Sequence, residues 1–448
     1  MSGAAAIPET TGVNPGWRVT FAGLGINLAL GVLYTWSVIA AGVPEAWHWD
    51  QSSKAWPYSI ACLVFCLVMV PAGRMQDKMG PRLVATIGGI LVGLGLIMAS
   101  LTGLYMPQYS LAGFIIGFGF LAGAGIGFGY ASATPPAVKW FPPNKTGLVA
   151  GLVVSGFGLA SVYAAPLAKW LTETYSLTTM VMVFGIGFLF VVVILAQLLT
   201  PPPDGYVAPG TPPKPATTGG PTRKDEFTPL EMLRTWQFWA LWFMYACGAG
   251  AGLMVISVAQ KLGAGKTIGA LEAGTIMVVT LAIGNGAGRI IAGMMCDRFG
   301  RKMTMAIFFI AQAVMVMLLS LSGTVSVLGS GVMMAIIAAL VGANYGSNLA
   351  LFPVATKRYY GLKNFGMNYG LVFTAWGVGG FMLAKFAGWV YDGKILEAWQ
   401  GSFDFAYYTS AILLVLAAIM TFIVSQPKTL TSAEEKPQPV SAGGGGAR

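Results

Sequence analysis

Residues 281–302 have the sequence LAIGNGAGRIIAGMMCDRFGRK. The second half of this stretch, GMMCDRFGRK from Gly293 to Lys302, places glycines and charged residues between two apolar runs. A matching turn, GRMQDKMGPR, begins at Gly73, which is 220 positions earlier. A repeat at such a large spacing indicates two related halves within one chain.

The composition is that of a chain embedded in a membrane. Of the 448 residues, 56% are hydrophobic and 9% are charged, whereas a soluble domain has about 25% charged residues. The mean hydropathy is +0.70. A bilayer core about 30 Å thick needs about 20 apolar residues in a helix, and the chain contains twelve such stretches. We therefore predict an all-α membrane protein with twelve transmembrane helices in two six-helix pseudo-repeats.

Smaller repeats support the same division. The tripeptide at Tyr130 (YAS) is echoed at Tyr345 (YGS), and three glycines recur at a constant spacing of 219: Gly147, Gly151 and Gly158, then Gly366, Gly370 and Gly377. Internal repeats of this kind are typical of secondary transporters, which bind substrate between the two halves near the bilayer midplane.

A stretch rich in proline, glycine and threonine separates the sixth and seventh apolar segments, and this composition predicts a linker. The predicted organisation is an N-terminal tail (1–16), a first six-helix half (17–200), a linker (201–235), a second half (236–426) and a C-terminal tail (427–448).

Most lysines and arginines fall on the side of the tails and the linker. The positive-inside rule therefore places both termini in the cytoplasm, and we expect a multi-pass protein of the cell inner membrane. The same bias explains the net charge of +10 without a nucleic-acid partner.

Acidic residues and histidine are absent from the middle of the apolar stretches, because all 16 acids and His48 lie in turns, tails or stretch ends. The sequence offers no buried proton relay, no cluster of metal ligands and no nucleophile–base pair. The four cysteines show neither metal-ligand spacing nor a disulfide framework. We expect no enzyme activity, no metal and no cofactor.

Arg289 is the arginine that lies inside an apolar stretch. Such a residue is costly in a bilayer and functional by default, and its guanidinium can bind a carboxylate through two hydrogen bonds. Asn285 precedes it by one helical turn, so both side chains can reach one ligand. The alternative is that Arg289 extends toward the helix end or pairs with Asp297 or Asp77.

Several aromatic residues are candidates for the wall of the same site. Tyr34, Tyr130 and Tyr345 are predicted deep in the first, fourth and tenth helices, where their hydroxyl groups need partners. Trp376 and Phe157 are predicted in the middle of the eleventh and fifth helices. Ordinary core packing is the alternative for all five residues.

The duplicated turn resembles the loop signature of the major facilitator superfamily, a Gly-x-x-x-Asp-x-x-Gly-x-Arg/Lys pattern after the second and the eighth helix. Both copies are present here. We predict a gating role for the charged residues of the two copies, whose side chains can cross-link neighbouring helix ends: Asp77, Arg82, Asp297, Arg298 and Arg301. A loop that merely obeys the positive-inside rule is the alternative.

Within that superfamily, five stretches resemble the oxalate–formate antiporter family and its bacterial monocarboxylate-transporter relatives. They are GVLYTW (31–36), KWFPPNKTGL (139–148), LRTWQFW (233–239), Asn285-x-x-x-Arg289 and FGMNYG (365–370). The resemblance implies that Arg289 binds the substrate carboxylate and that Tyr34, Tyr130 and Tyr345 line the site.

Two departures from the family pattern bear on the substrate. The oxalate antiporter has a lysine on the eleventh helix, at the position that Trp376 occupies here. One cation suits one carboxylate, so the pattern favours a monocarboxylate such as lactate, pyruvate, acetate or formate over oxalate. Animal monocarboxylate transporters carry an aspartate at the position of Asn285, so their proton-acceptor scheme does not transfer directly.

The sequence therefore predicts a secondary active transporter that moves a small monocarboxylate anion by alternating access, coupled to a proton and acting as a monomer in the lipid bilayer. An oxalate–formate-type anion exchanger is the alternative within transport. A transporter-like sensor or scaffold is the alternative from another class, although no sizeable soluble domain is evident between the helices.

Overall fold

The computed structural model of the chain describes residues 14–203, 206–210, 226–361 and 364–427. Nearly all of the two predicted tails and much of the predicted linker lie outside the described residues. Within the described ranges, twelve helices are long and apolar enough to cross a membrane. They are α1 (Gly16–Ala41), α2 (Gln51–Met79), α3 (Pro81–Tyr105), α4 (Pro107–Val138), α5 (Gly147–Thr174), α6 (Leu177–Ala196), α7 (Trp236–Leu262), α8 (Ala273–Phe299), α9 (Arg301–Leu321), α10 (Gly331–Tyr360), α11 (Phe365–Tyr391) and α12 (Asp404–Ile423). This confirms the predicted fold class.

The remaining elements are short. A helix at Pro229–Leu233 precedes α7, and 3₁₀ turns occur at Glu45–Trp47 and Glu397–Trp399. Strands β1 (Thr267–Ile268) and β2 (Leu271–Glu272) pair antiparallel between α7 and α8.

The two copies of the charged turn join α2 to α3 and α8 to α9. At the centre of each turn is a glycine with positive φ, Gly80 at 84° and Gly300 at 78°, a conformation that glycine adopts without steric cost. We call the end of the helix bundle that carries these two turns the motif end. The opposite end, which carries the ion pairs described below, is the ion-pair end.

Two membrane-spanning helices depart from regular α geometry. In α1 the segment Gly31–Thr35 is a 3₁₀ helix, and in α4 the segment Ile115–Ala122 is a π helix. A Cβ atom on Gly31 would lie 2.5 Å from the carbonyl oxygen of Phe157, so glycine lets α1 and α5 approach closely there. This approach places Tyr34, three residues later, next to Phe157.

Helices α8 and α10 pack through glycines. A Cβ atom on Gly284 would lie 1.9 Å from the carbonyl oxygen of Ala339, and one on Gly288 would lie 2.0 Å from that of Ala343. Small residues at such interfaces let helix backbones approach each other in a membrane. This packing fixes the α8 segment that carries Asn285 and Arg289 beside Tyr345 of α10.

The end of the predicted linker is attached to the second half. The backbone N–H of Phe227 donates to the carbonyl of Tyr360 (3.0 Å), and the side-chain amides of Asn364 and Asn368 both donate to the carbonyl of Phe227 (3.0 Å each). The FGMNYG stretch at the start of α11 therefore helps to hold the linker against the motif end.

The glycine packing gives a test of the fold. We expect Gly288→Ala to lower the free energy of unfolding by about 1–3 kcal/mol, because the added methyl group meets a backbone that cannot retreat. Gly293→Ala, on the same helix but with no neighbour within 4 Å of its Cβ position, is the matched control and should be neutral or slightly stabilising. The measurement is thermal unfolding in detergent, followed by tryptophan fluorescence. Equal melting temperatures for the two variants would contradict the prediction.

Candidate functional site

The predicted site residues come from both halves. Tyr34 in α1 and Tyr345 in α10 share a hydrogen bond of 2.5 Å between their hydroxyl oxygens, and the indole N–H of Trp376 in α11 donates to the Tyr345 oxygen (2.7 Å). These three side chains are buried. Ordinary packing does not describe these tyrosines fully, because their hydroxyl groups form a polar bridge between the halves.

Arg289 is held by neutral acceptors. Its Nε and Nη2 donate to Oδ1 of Asn285 at 3.3 and 3.2 Å, and its Nη1 donates to the carbonyl of Val154 in α5 at 3.1 Å. Among the described residues, no carboxylate lies within ion-pair distance of this guanidinium, and neither Asp77 nor Asp297 forms an ion pair. The pairing of Arg289 with either acid is therefore not observed.

The guanidinium of Arg289 lies near the tyrosines of the site. It lies against Gly158 of α5, and the ring of the preceding residue, Phe157, contacts the rings of Tyr34 and Tyr130. An anion bound at Arg289 would therefore be close to hydroxyl groups that can donate hydrogen bonds to it.

Asn285 has an unused donor. Its side chain is fully buried and its Oδ1 is occupied by Arg289, but its Nδ2 has no hydrogen-bond partner among the residues that the structure describes. A buried donor without an acceptor is costly. Gly158 of α5 faces the same group, since a Cβ atom there would lie 3.2 Å from Nη2 of Arg289 and 3.4 Å from Nδ2 of Asn285. Glycine thus lets the guanidinium lie close against α5.

Aromatic rings enclose the space beside these polar groups. Phe157 makes edge contacts with Tyr34 and Tyr130, at centroid distances of 4.9 and 5.3 Å. Phe65 of α2 contacts Tyr130, Phe157 and Trp376 at 5.4, 5.7 and 5.1 Å. Phe65 is not recognisable as a site residue from the sequence, because nothing distinguishes it within the apolar run CLVFCL.

Two further aromatic residues belong to the cluster. Phe373 of α11 stacks on Trp376 at 5.2 Å and contacts Tyr369 at 5.9 Å. Tyr369 lies in the FGMNYG stretch that carries the family resemblance, and that position was the available signal for it.

Access to the cluster differs between its two sides. Tyr130, Arg289 and Tyr369, which lie toward the motif end, are partly exposed. Tyr34 and Tyr345 are 3% and 0% exposed. A crevice beyond Tyr34, lined among others by Ser161 and Ala259, has no room for a water molecule. The site is thus reached from the motif end.

The opposite end is closed by contacts between the halves. Lys394 of the second half pairs with Asp50 of the first, and it also lies 3.4 Å from Asp392 within its own half. On another part of the interface, Lys169 of α5 pairs with Glu272, which precedes α8. Within the described residues, these ion pairs have no counterpart between the halves at the motif end, where Arg74 approaches the sulfur of Met367 at 3.8 Å.

The charged residues of the two turns make few contacts in this conformation. Nη2 of Arg301 donates to the hydroxyl of Tyr359 (2.8 Å), which itself donates to the carbonyl of Val424 (3.0 Å). These contacts join α9, α10 and the end of α12 within the second half. Arg82 and Arg298, like Asp77 and Asp297, form no ion pair in the described part of the chain, so their gating role stays a prediction.

These features define a class of protein: two six-helix membrane halves that enclose a polar and aromatic site, open at one end and closed at the other. The profile of the Major Facilitator Superfamily matches residues 19–284 and 249–445. The chain belongs to this superfamily of membrane transporters.

Individual relatives agree with that assignment. The chain is 27% identical over 423 residues to the oxalate:formate antiporter of Oxalobacter formigenes, covering 93% of each chain. It is 26% identical over 166 residues to monocarboxylate transporter 13 of Rattus norvegicus, covering 36% of each chain. Among solved structures, a partially occluded inward-open xylose transporter from E. coli has the same fold, with a TM-score of 0.64 at 13% identity, over 93% of this chain and 100% of the other.

The Asp50–Lys394 pair leads to a pH prediction. Burial alone would raise the pKa of Asp50, but hydrogen bonds from Lys394 and Ser53 lower it well below its usual value, and the bond to Asp50 raises the pKa of Lys394. When a carboxyl group has a lower pKa in the folded state than in the unfolded state, its ionised form stabilises the folded state at any pH above the unfolded-state pKa of about 3.9. This stabilisation is lost as the pH falls through the folded-state pKa.

We therefore expect Asp50→Asn to lower the melting temperature by a constant amount between about pH 5.5 and 8.5, and by progressively less below about pH 4. Melting curves in detergent across this range provide the measurement, with Glu45→Gln, an exposed acid of the same loop, as the control. A difference that varied between pH 6 and 8 would show that another group titrates with the pair.

Proposed function

We propose that this protein carries a small monocarboxylate anion across the membrane by alternating access. The observation that supports this most directly is the state of Arg289, whose donors reach only an amide oxygen and a backbone carbonyl among the described residues. A guanidinium inside a membrane protein normally pairs with an anion. The carboxylate of the substrate would supply that charge through two parallel hydrogen bonds.

The number of cations in the site favours one carboxylate over two. Trp376, which is fully buried, occupies the position at which the oxalate antiporter has a lysine, according to the family resemblance. The cation that α11 does carry, Lys385, donates to the carbonyl of Ser52 near the ion-pair end, away from the site. A dicarboxylate would therefore bring a second charge into an aromatic enclosure without a partner, which is costly.

Substrate binding would also change a contact between the halves. Val154, which accepts from Arg289, belongs to the first half, whereas Arg289 belongs to the second. A carboxylate that takes the guanidinium donors would compete with this carbonyl. Occupancy of the site would then bias the movement of one half relative to the other, as coupling by differential affinity requires.

Proton coupling is the second part of the proposal. The residues described around Arg289 include no carboxylate or histidine that could carry a proton, so the proton would travel on the substrate carboxylate itself. The lysine and arginine bias supports an orientation with the motif end and both termini in the cytoplasm. In that orientation the site would be open to the cytoplasm.

The role of Arg289 is tested in proteoliposomes with labelled lactate. We expect Arg289→Ala to reduce uptake on the order of a hundredfold, because the substrate loses its buried partner charge. Arg289→Lys should reduce it less, since the charge remains but the two-pronged geometry is lost. Arg358→Ala, an exposed arginine at the end of α10, is the matched control. Unchanged uptake in Arg289→Ala would exclude the proposed binding mode.

Exchange of two anions is the second candidate, and the similarity to the oxalate:formate antiporter along 93% of the chain favours it. If the protein is a proton symporter, an inward proton gradient should drive lactate into vesicles that contain no substrate, with alkalinisation of the medium. Uptake that requires preloaded oxalate or formate and ignores the proton gradient would favour the exchanger.

A further inference from the structure

Ser52, at the start of α2, is surrounded by polar groups of the other half. Its backbone N–H donates to Asp392 (2.7 Å), its carbonyl accepts from Lys385 (2.5 Å), and its hydroxyl accepts from Lys394. All three partners lie in or directly after α11. Ser52 and Lys385 are 3% and 2% exposed, so the contact between them is shielded from water, whereas Lys394 approaches Ser52 from the exposed side.

The backbone of α11 approaches Ser52 as closely as its side chains do. A Cβ atom on Gly388 would lie 2.9 Å from the Cα of Ser52. Any larger residue at 388 would separate the two helices and lengthen the hydrogen bonds around Ser52. The glycine is therefore part of the same arrangement.

Asp392 acts as a helix cap across the two halves. It accepts the N–H groups of Gln51 (3.0 Å) and Ser52 (2.7 Å), which belong to the first turn of α2. The next N–H, that of Ser53, is accepted by Asp50 within the first half (2.6 Å). The first N–H groups of a helix have no partner inside the helix, so α2 depends on the second half to satisfy two of them.

We propose that Asp50, Ser52, Lys385, Asp392 and Lys394 form a clasp that closes the ion-pair end, and that this clasp must come apart before the substrate site opens there. The proposal concerns the route to the site and does not depend on which anion is carried. The sequence predicted gating at the two charged turns, which lie at the motif end. The clasp adds a barrier at the opposite end.

Separation of the halves at this end would leave several groups without partners at once. Two N–H groups of α2 would lose Asp392, and the Lys385 ammonium, which lies 4.0 Å from the ring centre of Trp56, would lose its acceptor. Hydrogen bonds to charged groups contribute more to stability than hydrogen bonds between neutral groups, and leaving a buried charged group without a partner is costly. The clasp therefore favours the conformation in which the site is open only at the motif end.

The test measures access to a cysteine placed behind the clasp. Ala259, which is 1% exposed, lines the crevice next to Tyr34, so Ala259→Cys reports water entry from the ion-pair end. A membrane-impermeant thiol reagent is applied separately to right-side-out and inverted vesicles, which makes the result independent of the assumed orientation. The same chain without Ala259→Cys gives the background from the four native cysteines.

Two clasp variants of opposite charge change are compared in this background, Asp392→Asn and Lys385→Met. We expect both to raise the rate of modification from the ion-pair side about tenfold, as expected for the loss of hydrogen bonds to a charged group. Glu397→Gln, an exposed acid of the neighbouring loop, should leave the rate unchanged.

The outcomes separate a clasp from a general charge effect. If the two clasp variants shift the rate in opposite directions, net charge at the ion-pair end controls access, and the proposal is wrong. Unchanged rates in both variants would also overturn it. A fall in the melting temperature together with equal modification from both sides would indicate that a clasp variant unfolds. In that case Ser52→Ala, which removes only the hydroxyl contact, provides the test. The proposal then requires a smaller rise in the modification rate of this variant, confined to the ion-pair side.

Discussion

A guanidinium inside a membrane bundle must find acceptors, and this requirement organises the centre of the molecule. Arg289 finds them in Asn285, one turn away on its own helix, and in the carbonyl of Val154 on the opposite half. Neither acceptor carries a charge. The arrangement satisfies the geometry of the guanidinium, but no residue in the described part of the chain compensates its charge, which is the condition that a site for an exchangeable anion has to meet.

The packing around Arg289 serves the same requirement. Glycines in α8 allow the backbone of α10 to lie against it, and Gly158 lets the guanidinium approach α5. The aromatic rings of Phe157, Phe65 and Trp376 then exclude water from one side. Low polarity in this enclosure strengthens any interaction between Arg289 and a bound carboxylate.

Much of the fold, and the position of Arg289, could be predicted from the sequence. The physical reasons for this also explain why a site residue such as Phe65 could not be predicted. The repeated turn and the apolar stretches specify the fold, because bilayer thickness and glycine turns restrict the local sequence strongly. Arg289 stands out because charge is rare at such a depth. Phe65 does not stand out, since a phenylalanine in an apolar run has the same local pattern whether it faces lipid, core or substrate.

The contacts at the ion-pair end were beyond sequence analysis for a different reason. Asp50 and Lys394 are separated by 344 positions, and each reads as an ordinary charge of a loop outside the membrane. Only the packing of α2 against α11 brings them together. The role of these two residues depends on their proximity in the folded protein, and a local pattern in one sequence does not contain that information.

Gly158 and its repeat Gly377, 219 positions later, both lie against a side chain of the other half. Gly158 of α5 faces Asn285 and Arg289 of α8, whereas Gly377 of α11 packs against Cys66 of α2. One glycine contact therefore carries an amide and a guanidinium, and the other carries a thiol among apolar groups. The duplicated backbone thus encloses a chemically asymmetric interior, in which the polar groups that could recognise an anion are confined to one of two similar contacts.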